Sequence, residues 1–199
     1  MTNLEPTPTT RRRAALAVTA ILALGAVACV PDPGPSDPGA TTTTTAECVP
    51  APGTATSPSG ATLTVSKVTC LEVGDVVTIS GSGYTTTGNL GTRPPLSGQP
   101  AGVYAAFGRY LPVWQYSANA PAGARINGDN RWVLPASSYA VLAGAEGTVR
   151  MAADGSFQST LTITEIEAST DHTYSFVTYA GGGAKNANEE LRIAASFAP

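Results

Sequence analysis

The chain has 199 residues, of which 42% are apolar and only 13% charged, with a formal net charge of −3. This composition argues against a wholly disordered chain, and the 21 glycines and 16 prolines lack the triplet period of collagen. The mildly acidic balance removes the usual electrostatic basis for nucleic-acid binding, and one histidine with three cysteines is too few for most zinc sites. We therefore predict no metal, no cofactor and no nucleic-acid partner.

The N-terminal segment has the parts of a bacterial export signal. Three consecutive arginines at 11–13 precede an uncharged, mostly apolar run over residues 14–27, and small residues lead up to Ala28. The run is shorter than the roughly 20 residues that a membrane-spanning helix needs. We predict that residues 1–28 are an export signal, and the sequence leaves open whether the general or the twin-arginine route is used.

Cys29 follows the predicted cleavage site, in a stretch that resembles a lipobox with Ala26 in place of the usual Leu. Lipidation there would leave Cys48 and Cys70 as an even pair, which an oxidising environment tends to join. We predict lipidation of Cys29 and a Cys48–Cys70 disulfide, with secretion without lipid as the alternative. Cleavage removes the three N-terminal arginines, so any membrane attachment would come from the lipid alone.

Residues 29–60 are dominated by Pro, Thr, Ser and Gly and contain no periodic apolar positions. Such a segment cannot bury enough apolar surface to offset the entropy of ordering it. We predict a disordered tether over residues 29–60, and whether its threonine run carries sugar stays open.

From residue 61 onward the sequence changes to short β-branched runs. Alternation places Leu63 and Val65 on one face of a first strand, and Val77 and Ile79 on one face of the next. The seven predicted strands cover residues 62–69, 76–80, 102–110, 148–151, 156–164, 173–179 and 191–197. The dipeptide Asp154-Gly155 is typical of a hairpin turn. Connections too short for crossover helices favour antiparallel pairing, so residues 61–199 are predicted to form an all-β, two-sheet sandwich.

Several blocks of this domain resemble known immunoglobulin-like domains. ATLTVSKVT and VGDVVTISGSGY at 61–84, with AADGSFQSTLTI at 152–163, resemble the neocarzinostatin group. Residues 102–114, 131–135 and 179–188 resemble the immunoglobulin-like domain found beside HtaA-type haem-binding domains in actinobacterial surface proteins. The resemblance implies an immunoglobulin-like antiparallel sandwich exposed outside the cell. The later strands lack the disulfides typical of enediyne-binding proteins, and no HtaA domain is present.

A long aromatic-rich insertion follows the third predicted strand. Seven of the 13 aromatic residues lie between Tyr104 and Tyr139, with three arginines among them. Long ordered loops often carry function, and Trp, Tyr and Arg anchor interfaces and stack on flat ligands. The candidate binding residues are Arg109, Tyr110, Trp114, Tyr116, Arg131 and Trp132. The alternative is a small second core, in which the insertion folds back over an open sheet face.

Catalytic constellations are weak in this sequence. His172 follows a polar turn, where we expect it to be solvated, and Glu165 and Glu167 fit a solubility role at a sheet edge. We predict a non-enzymatic binding module, exported to the cell envelope and anchored by lipid, and accessory to a haem-uptake type surface system. Its partner would be an envelope protein or a small hydrophobic ligand. The alternatives are a small-molecule carrier of the neocarzinostatin type and a purely structural envelope domain.

Overall fold

The computed structural model describes residues 47–199, which form nine strands and one short α-helix. The predicted export signal, Cys29 and most of the predicted tether lie outside the described residues. In chain order the elements are β1 (Gly53–Thr56), β2 (Thr62–Val65), β3 (Val76–Ser82), β4 (Val103–Tyr110), β5 (Arg125–Leu134), α1 (Ala136–Val141), β6 (Thr148–Arg150), β7 (Phe157–Thr162), β8 (Thr173–Ala180) and β9 (Leu191–Ala194). Within residues 47–199, no helix has the length and apolar character needed to cross a membrane.

Two sheets pack face to face, which confirms the predicted all-β sandwich. One sheet has the order β1-β2-β3-β7 and the other the order β6-β5-β4-β8-β9. Every pairing is antiparallel except that of β5 with β6, which is parallel. The main core lies between the sheets, where Phe107 and Phe176 of one sheet face Leu63 and Leu161 of the other.

The four-stranded sheet follows the alternation read from the sequence. Leu63 and Val65 in β2, and Val77 and Ile79 in β3, are buried as predicted. The residues between them are partly or fully exposed, because this sheet has solvent on its outer face.

The five-stranded sheet is covered on both faces. In β4 the inner residue Phe107 belongs to the main core, and the outer residue Ala106 belongs to a second cluster with Val177 of β8. The second cluster also contains Trp114, from the connection between β4 and β5. We call this connection, residues 111–124, the strap.

The folded region begins before residue 61, so the predicted boundary is wrong. The strand β1 pairs in full with β2, from Gly53 opposite Val65 to Thr56 opposite Thr62. The sequence GTAT of β1 has little apolar character, because it is an edge strand with only Ala55 packed against the core. Residues 47–60, predicted to belong to the tether, are therefore part of the sandwich.

The predicted insertion is not one long loop. It contains β5, the ten-residue neighbour of β4, and α1, and it ends at β6, which matches the predicted strand over residues 148–151. The sequence RINGDNRWVL does not alternate regularly, and in the structure the register of β4 against β5 shifts between Phe107 and Gly108.

The predicted hairpin at Asp154-Gly155 is also wrong. β6 belongs to the five-stranded sheet and β7 to the four-stranded sheet, so the turn carries the chain from one sheet to the other. Gly155 is needed for a different reason: its φ is +77°, and a Cβ there would lie 2.0 Å from the carbonyl oxygen of Tyr84.

The connections fall at two ends of the sandwich because the strand direction reverses almost every time. We call the end formed by connections 57–61, 83–102, 135–147, 151–156 and 181–190 the upper end. The lower end holds the connections 66–75 and 163–172, the start of the strap, and a disulfide between Cys48 and Cys70, the predicted pair, whose Cα atoms are 5.6 Å apart.

Candidate binding surface

Two of the predicted binding residues form the buried base of the strap. Trp114 is 2% exposed and packs edge-on against Tyr110, which is fully buried, with ring centroids 5.8 Å apart. The Tyr110 hydroxyl donates to Asn127 Oδ1 at 2.8 Å, so it is satisfied within the protein. A ligand cannot reach either ring, and the assignment of Tyr110 and Trp114 to binding is wrong. They form the small second core that the sequence analysis gave as the alternative.

Beside this core, four aromatic rings form a continuous line, which we call the aromatic row. Its members, in spatial order, are Trp132, Tyr104, Tyr179 and Tyr116. Successive ring centroids are 5.2, 5.3 and 5.8 Å apart. Trp132, Tyr104 and Tyr116 are half-buried, and Tyr179 is buried between its neighbours. The rings of Tyr104 and Trp132 are stacked with 23° between their planes, and Tyr104 and Tyr179 are tilted by 35°, so neighbouring rings cover part of one another's faces.

The protein holds the aromatic row in place through its polar atoms. Trp132 Nε1 donates to the carbonyl oxygen of Ala101 at 2.7 Å, and Asn127 Nδ2 donates to the Tyr179 hydroxyl at 2.8 Å. Burial raises the pKa of Tyr179 to about 12 and also raises the pKa of Tyr104. Both hydroxyls therefore remain neutral near pH 7, as hydrogen-bonding groups without charge.

Arg125 closes one end of the aromatic row. Its guanidinium lies 3.4 Å from the centroid of the Tyr116 ring and donates to the carbonyl oxygen of Trp114. Stacking of a guanidinium on an aromatic face is favourable, and more so when the pair is partly desolvated. One arginine therefore fixes both the ring of Tyr116 and the backbone of the strap.

The far part of the strap is attached to the upper end of the sandwich. The Glu190 carboxylate accepts hydrogen bonds from both the backbone N–H and the hydroxyl of Ser117. Lys185 Nζ donates to Asn119 Oδ1 at 2.6 Å. The strap thus leaves the lower end, crosses the outer face of the five-stranded sheet, and is held at the upper end by its middle residues Ser117 and Asn119.

Arg109 and Arg131, also predicted to bind, lie away from the aromatic row. Arg109 donates to four carbonyl oxygens of the connection 163–172 and stacks on Tyr174. Arg131 pairs with Asp129, whose other oxygen accepts the backbone N–H of Thr162 in the opposite sheet. Arg109 holds the connection 163–172 and Arg131 holds Asp129 of its own strand, so the structure gives neither a place in the row.

At the upper end, a hollow of about 610 Å³ lies between residues 88–92 and 183–186. Its floor includes the side chain of Asn89, which donates to Gly102 O and to the carboxylate of Glu189. Glu189 is only 3% exposed and also accepts the backbone N–H of Thr85. Burial raises the pKa of Glu189, and these hydrogen bonds offset only part of that effect.

His172 is buried, contrary to expectation. Its Nε2 lies 2.9 Å from the carbonyl oxygen of Gly123, which only accepts, so Nε2 carries the hydrogen. Its Nδ1 then accepts from the hydroxyl of Ser169 at 2.7 Å. Both ring nitrogens are occupied in joining the strap to the connection 163–172. Across residues 47–199, no group of three His, Cys, Asp or Glu side chains is placed to hold a metal ion.

Scans against protein-family models, curated proteins and solved structures found no match to this chain. The fold and the geometry of the surface are therefore the observations that bear on function. Of the six predicted binding residues, the structure brings Tyr116 and Trp132 into the row. It adds Tyr104, Tyr179 and Arg125, which the prediction missed. Tyr104 lies in the third predicted strand, Arg125 lies in the predicted insertion, and Tyr179 ends a predicted strand.

Proposed function

We propose that this chain is an exported, lipid-anchored and non-enzymatic binding module of the cell envelope, with an immunoglobulin-like sandwich. The observation that carries the proposal is the aromatic row, with three half-buried rings held in fixed positions on the outer face of the five-stranded sheet. The export signal and the lipid anchor at Cys29 rest on the sequence alone.

The row has the physical properties of a contact surface. Tyr and Trp supply large contact areas, and little side-chain entropy remains to be lost because the rings are already packed against one another. The hydroxyl of Tyr104 and the guanidinium of Arg125 add hydrogen-bonding capacity at the rim. Since neighbouring rings and Arg125 already cover part of the ring faces, the proposed partner is a protein surface rather than a flat ligand stacked between rings.

A purely structural role makes a different prediction about the same residues. It requires both tryptophans to be buried, and Trp114 meets that condition. Trp132 does not, because it is half-buried, packed against Tyr104 and the cluster of Leu96, Ala101 and Leu134. This partly exposed ring favours binding over a structural role.

The binding proposal is tested by capture from a solubilised envelope extract with the full-length protein as bait. We expect a specific partner to be recovered by the wild type and by Tyr139→Ala, but lost with the double variant Tyr116→Ala, Trp132→Ala. Tyr139 is a matched control because it is a half-buried tyrosine on α1, outside the row. Equal recovery of all proteins by the three baits would refute the assignment of binding to the row.

The anchor is tested separately by the intact mass of protein extracted from membranes. Lipidation predicts a chain that begins at Cys29 and carries the mass of the lipid, and Cys29→Ala should release the protein from the membrane fraction. A mature chain of unmodified mass would remove the anchor from the proposal without affecting the binding surface.

A further inference from the structure

Several hydrogen-bond donors at the hollow of the upper end are unused or only partly used. Asn186 donates one amide hydrogen to Asn89 Oδ1, which leaves its second one free. Lys185 uses Nζ once, on Asn119, and has further N–H groups available. Both side chains line the hollow.

The backbone N–H of Gly183 is a further unused donor. This glycine lines the hollow with a φ of +81°, and none of the hydrogen bonds among residues 47–199 uses its N–H. A Cβ at this position would lie 2.7 Å from Thr92 Oγ1, so only glycine lets the two connections approach so closely.

Arg93 is the second cation at this place. Its Nε lies 3.2 Å from the position that a Cβ of Gly183 would take, so its side chain lies beside the hollow, next to a residue that lines it. The guanidinium is exposed, and within the described part of the chain it has neither a hydrogen bond nor an ion pair. An exposed guanidinium is well suited to binding carboxylate or phosphate groups.

The nearby carboxylates are already occupied. Glu189 accepts from Thr85 and Asn89 beneath the hollow, and Glu190 accepts from Ser117 of the strap. The donors that remain available at the hollow are those of Arg93, Lys185, Asn186 and Gly183.

We propose that the hollow between residues 88–92 and 183–186, with Arg93 beside it, is a binding site for a small anionic group, a carboxylate or a phosphate. This site is separate from the aromatic row and does not depend on the function proposed for that row. The carboxylate or phosphate oxygens would accept from the free N–H groups, and the rest of the ligand would lie against Leu90 and Thr92.

The test is a titration of the full-length protein with inorganic phosphate, with citrate and with glucose, at constant ionic strength, followed by backbone amide chemical shifts. We expect saturable shifts at Gly183 and Lys185 with phosphate, citrate or both, and none with glucose. Whichever anion binds more tightly identifies the preferred group. Tyr116→Ala should leave these shifts unchanged, which separates this site from the aromatic row.

Arg93→Gln is the decisive variant, because Arg93 makes no hydrogen bond to any other residue of 47–199 whose loss would disturb the fold. We expect it to weaken anion binding roughly fivefold, as the loss of one charge-assisted interaction. Arg150→Gln is the matched control, since it removes the same charge from another exposed site at the upper end. Absence of saturable shifts with both anions, equal weakening by the two variants, or equal shifts with glucose would each overturn the proposal.

Discussion

The outer face of the four-stranded sheet meets solvent, whereas the outer face of the five-stranded sheet carries the strap. On the first face the side chains are hydroxyls and an amide, apart from Val76. These polar residues are Thr54, Thr56, Thr62, Thr64, Thr78, Ser80, Ser82, Gln158, Thr160 and Thr162. On the second face, Ala106, Tyr110 and Val177 are fully buried beneath Trp114.

Different interactions hold the two faces. On the polar face, threonine hydroxyls pair across strands, with 3.4 Å between Thr54 and Thr64 and 3.1 Å between Thr56 and Thr62. Such exposed pairs contribute little stability each. Under the strap, large aromatic side chains are removed from water, which contributes much more.

The comparison shows how the fold creates its candidate surface. A polar β face can remain in contact with water and needs no second layer to cover it. An apolar outer face requires a cover, and the strap covers it only in part. The aromatic row lies where the cover ends, so the half-buried rings are a consequence of the way the second core is built.

The largest expected effect is that of Trp114→Ala, which removes the main side chain under the strap. We expect the free energy of unfolding to fall by about 3–5 kcal/mol, as for other buried aromatic residues. Urea denaturation followed by circular dichroism measures it. Val113→Ala is the control in the same strap, because Val113 is 51% exposed, and its effect should stay within about 0.5 kcal/mol. Similar values for the two variants would mean that the strap does not form a second core.

A smaller effect is expected from exchanging the chemistry of the two outer faces. Val177→Thr places a hydroxyl in a fully buried apolar site without a partner, and we expect a loss of about 1–3 kcal/mol. Thr64→Val makes the reverse change on the solvated face and should alter stability by no more than about 0.5 kcal/mol. The two thermal or chemical denaturation experiments are directly comparable because Val and Thr have nearly the same shape. If Val177→Thr changed the free energy of unfolding as little as Thr64→Val, water would have to reach the outer face of the five-stranded sheet at this position.

The same difference explains what the sequence could predict. On the four-stranded sheet, one face is solvated, so burial alternates with period two and the strands β2, β3 and β7 are visible in the sequence. On the five-stranded sheet, β8 is buried on both faces over most of its length, and β5 is polar with an irregular register. Alternation is lost there, and β5 was missed, although β4, β6, β8 and β9 of the same sheet were predicted. The edge strand β1 of the four-stranded sheet was missed as well, because it has little apolar character.

The candidate site was harder to predict because neighbouring residues on a strand point to opposite faces. Arg109 and Tyr110 are adjacent in β4, but Arg109 binds the connection 163–172 while Tyr110 lies under the strap. Arg131 and Trp132 divide in the same way in β5. Residues that are neighbours in the sequence therefore lie on opposite faces of the sheet. Only the aromatic rings that the strap does not cover remain accessible.

A buried carboxylate, that of Glu189, lies at the upper end of the sandwich, whereas the polar face of the four-stranded sheet has no charged residue. Glu189 follows β8 and bonds to Thr85, which follows β3. Burial raises its pKa above the ordinary value of 4.5, so the folded protein binds this proton more tightly than the unfolded chain does.

The expected effect on stability follows from that direction and is the smallest of the three. A carboxyl group with a raised pKa in the folded state contributes most when it is protonated, and that contribution is lost as the pH rises above 4.5 through the folded pKa. We expect the free energy of unfolding of the wild type, minus that of Glu189→Gln, to decrease between about pH 4 and about pH 7. Urea denaturation of both proteins across this range measures the difference. Parallel pH profiles, or a difference that grows with pH, would show that hydrogen bonds from Thr85 and Asn89 outweigh burial at Glu189.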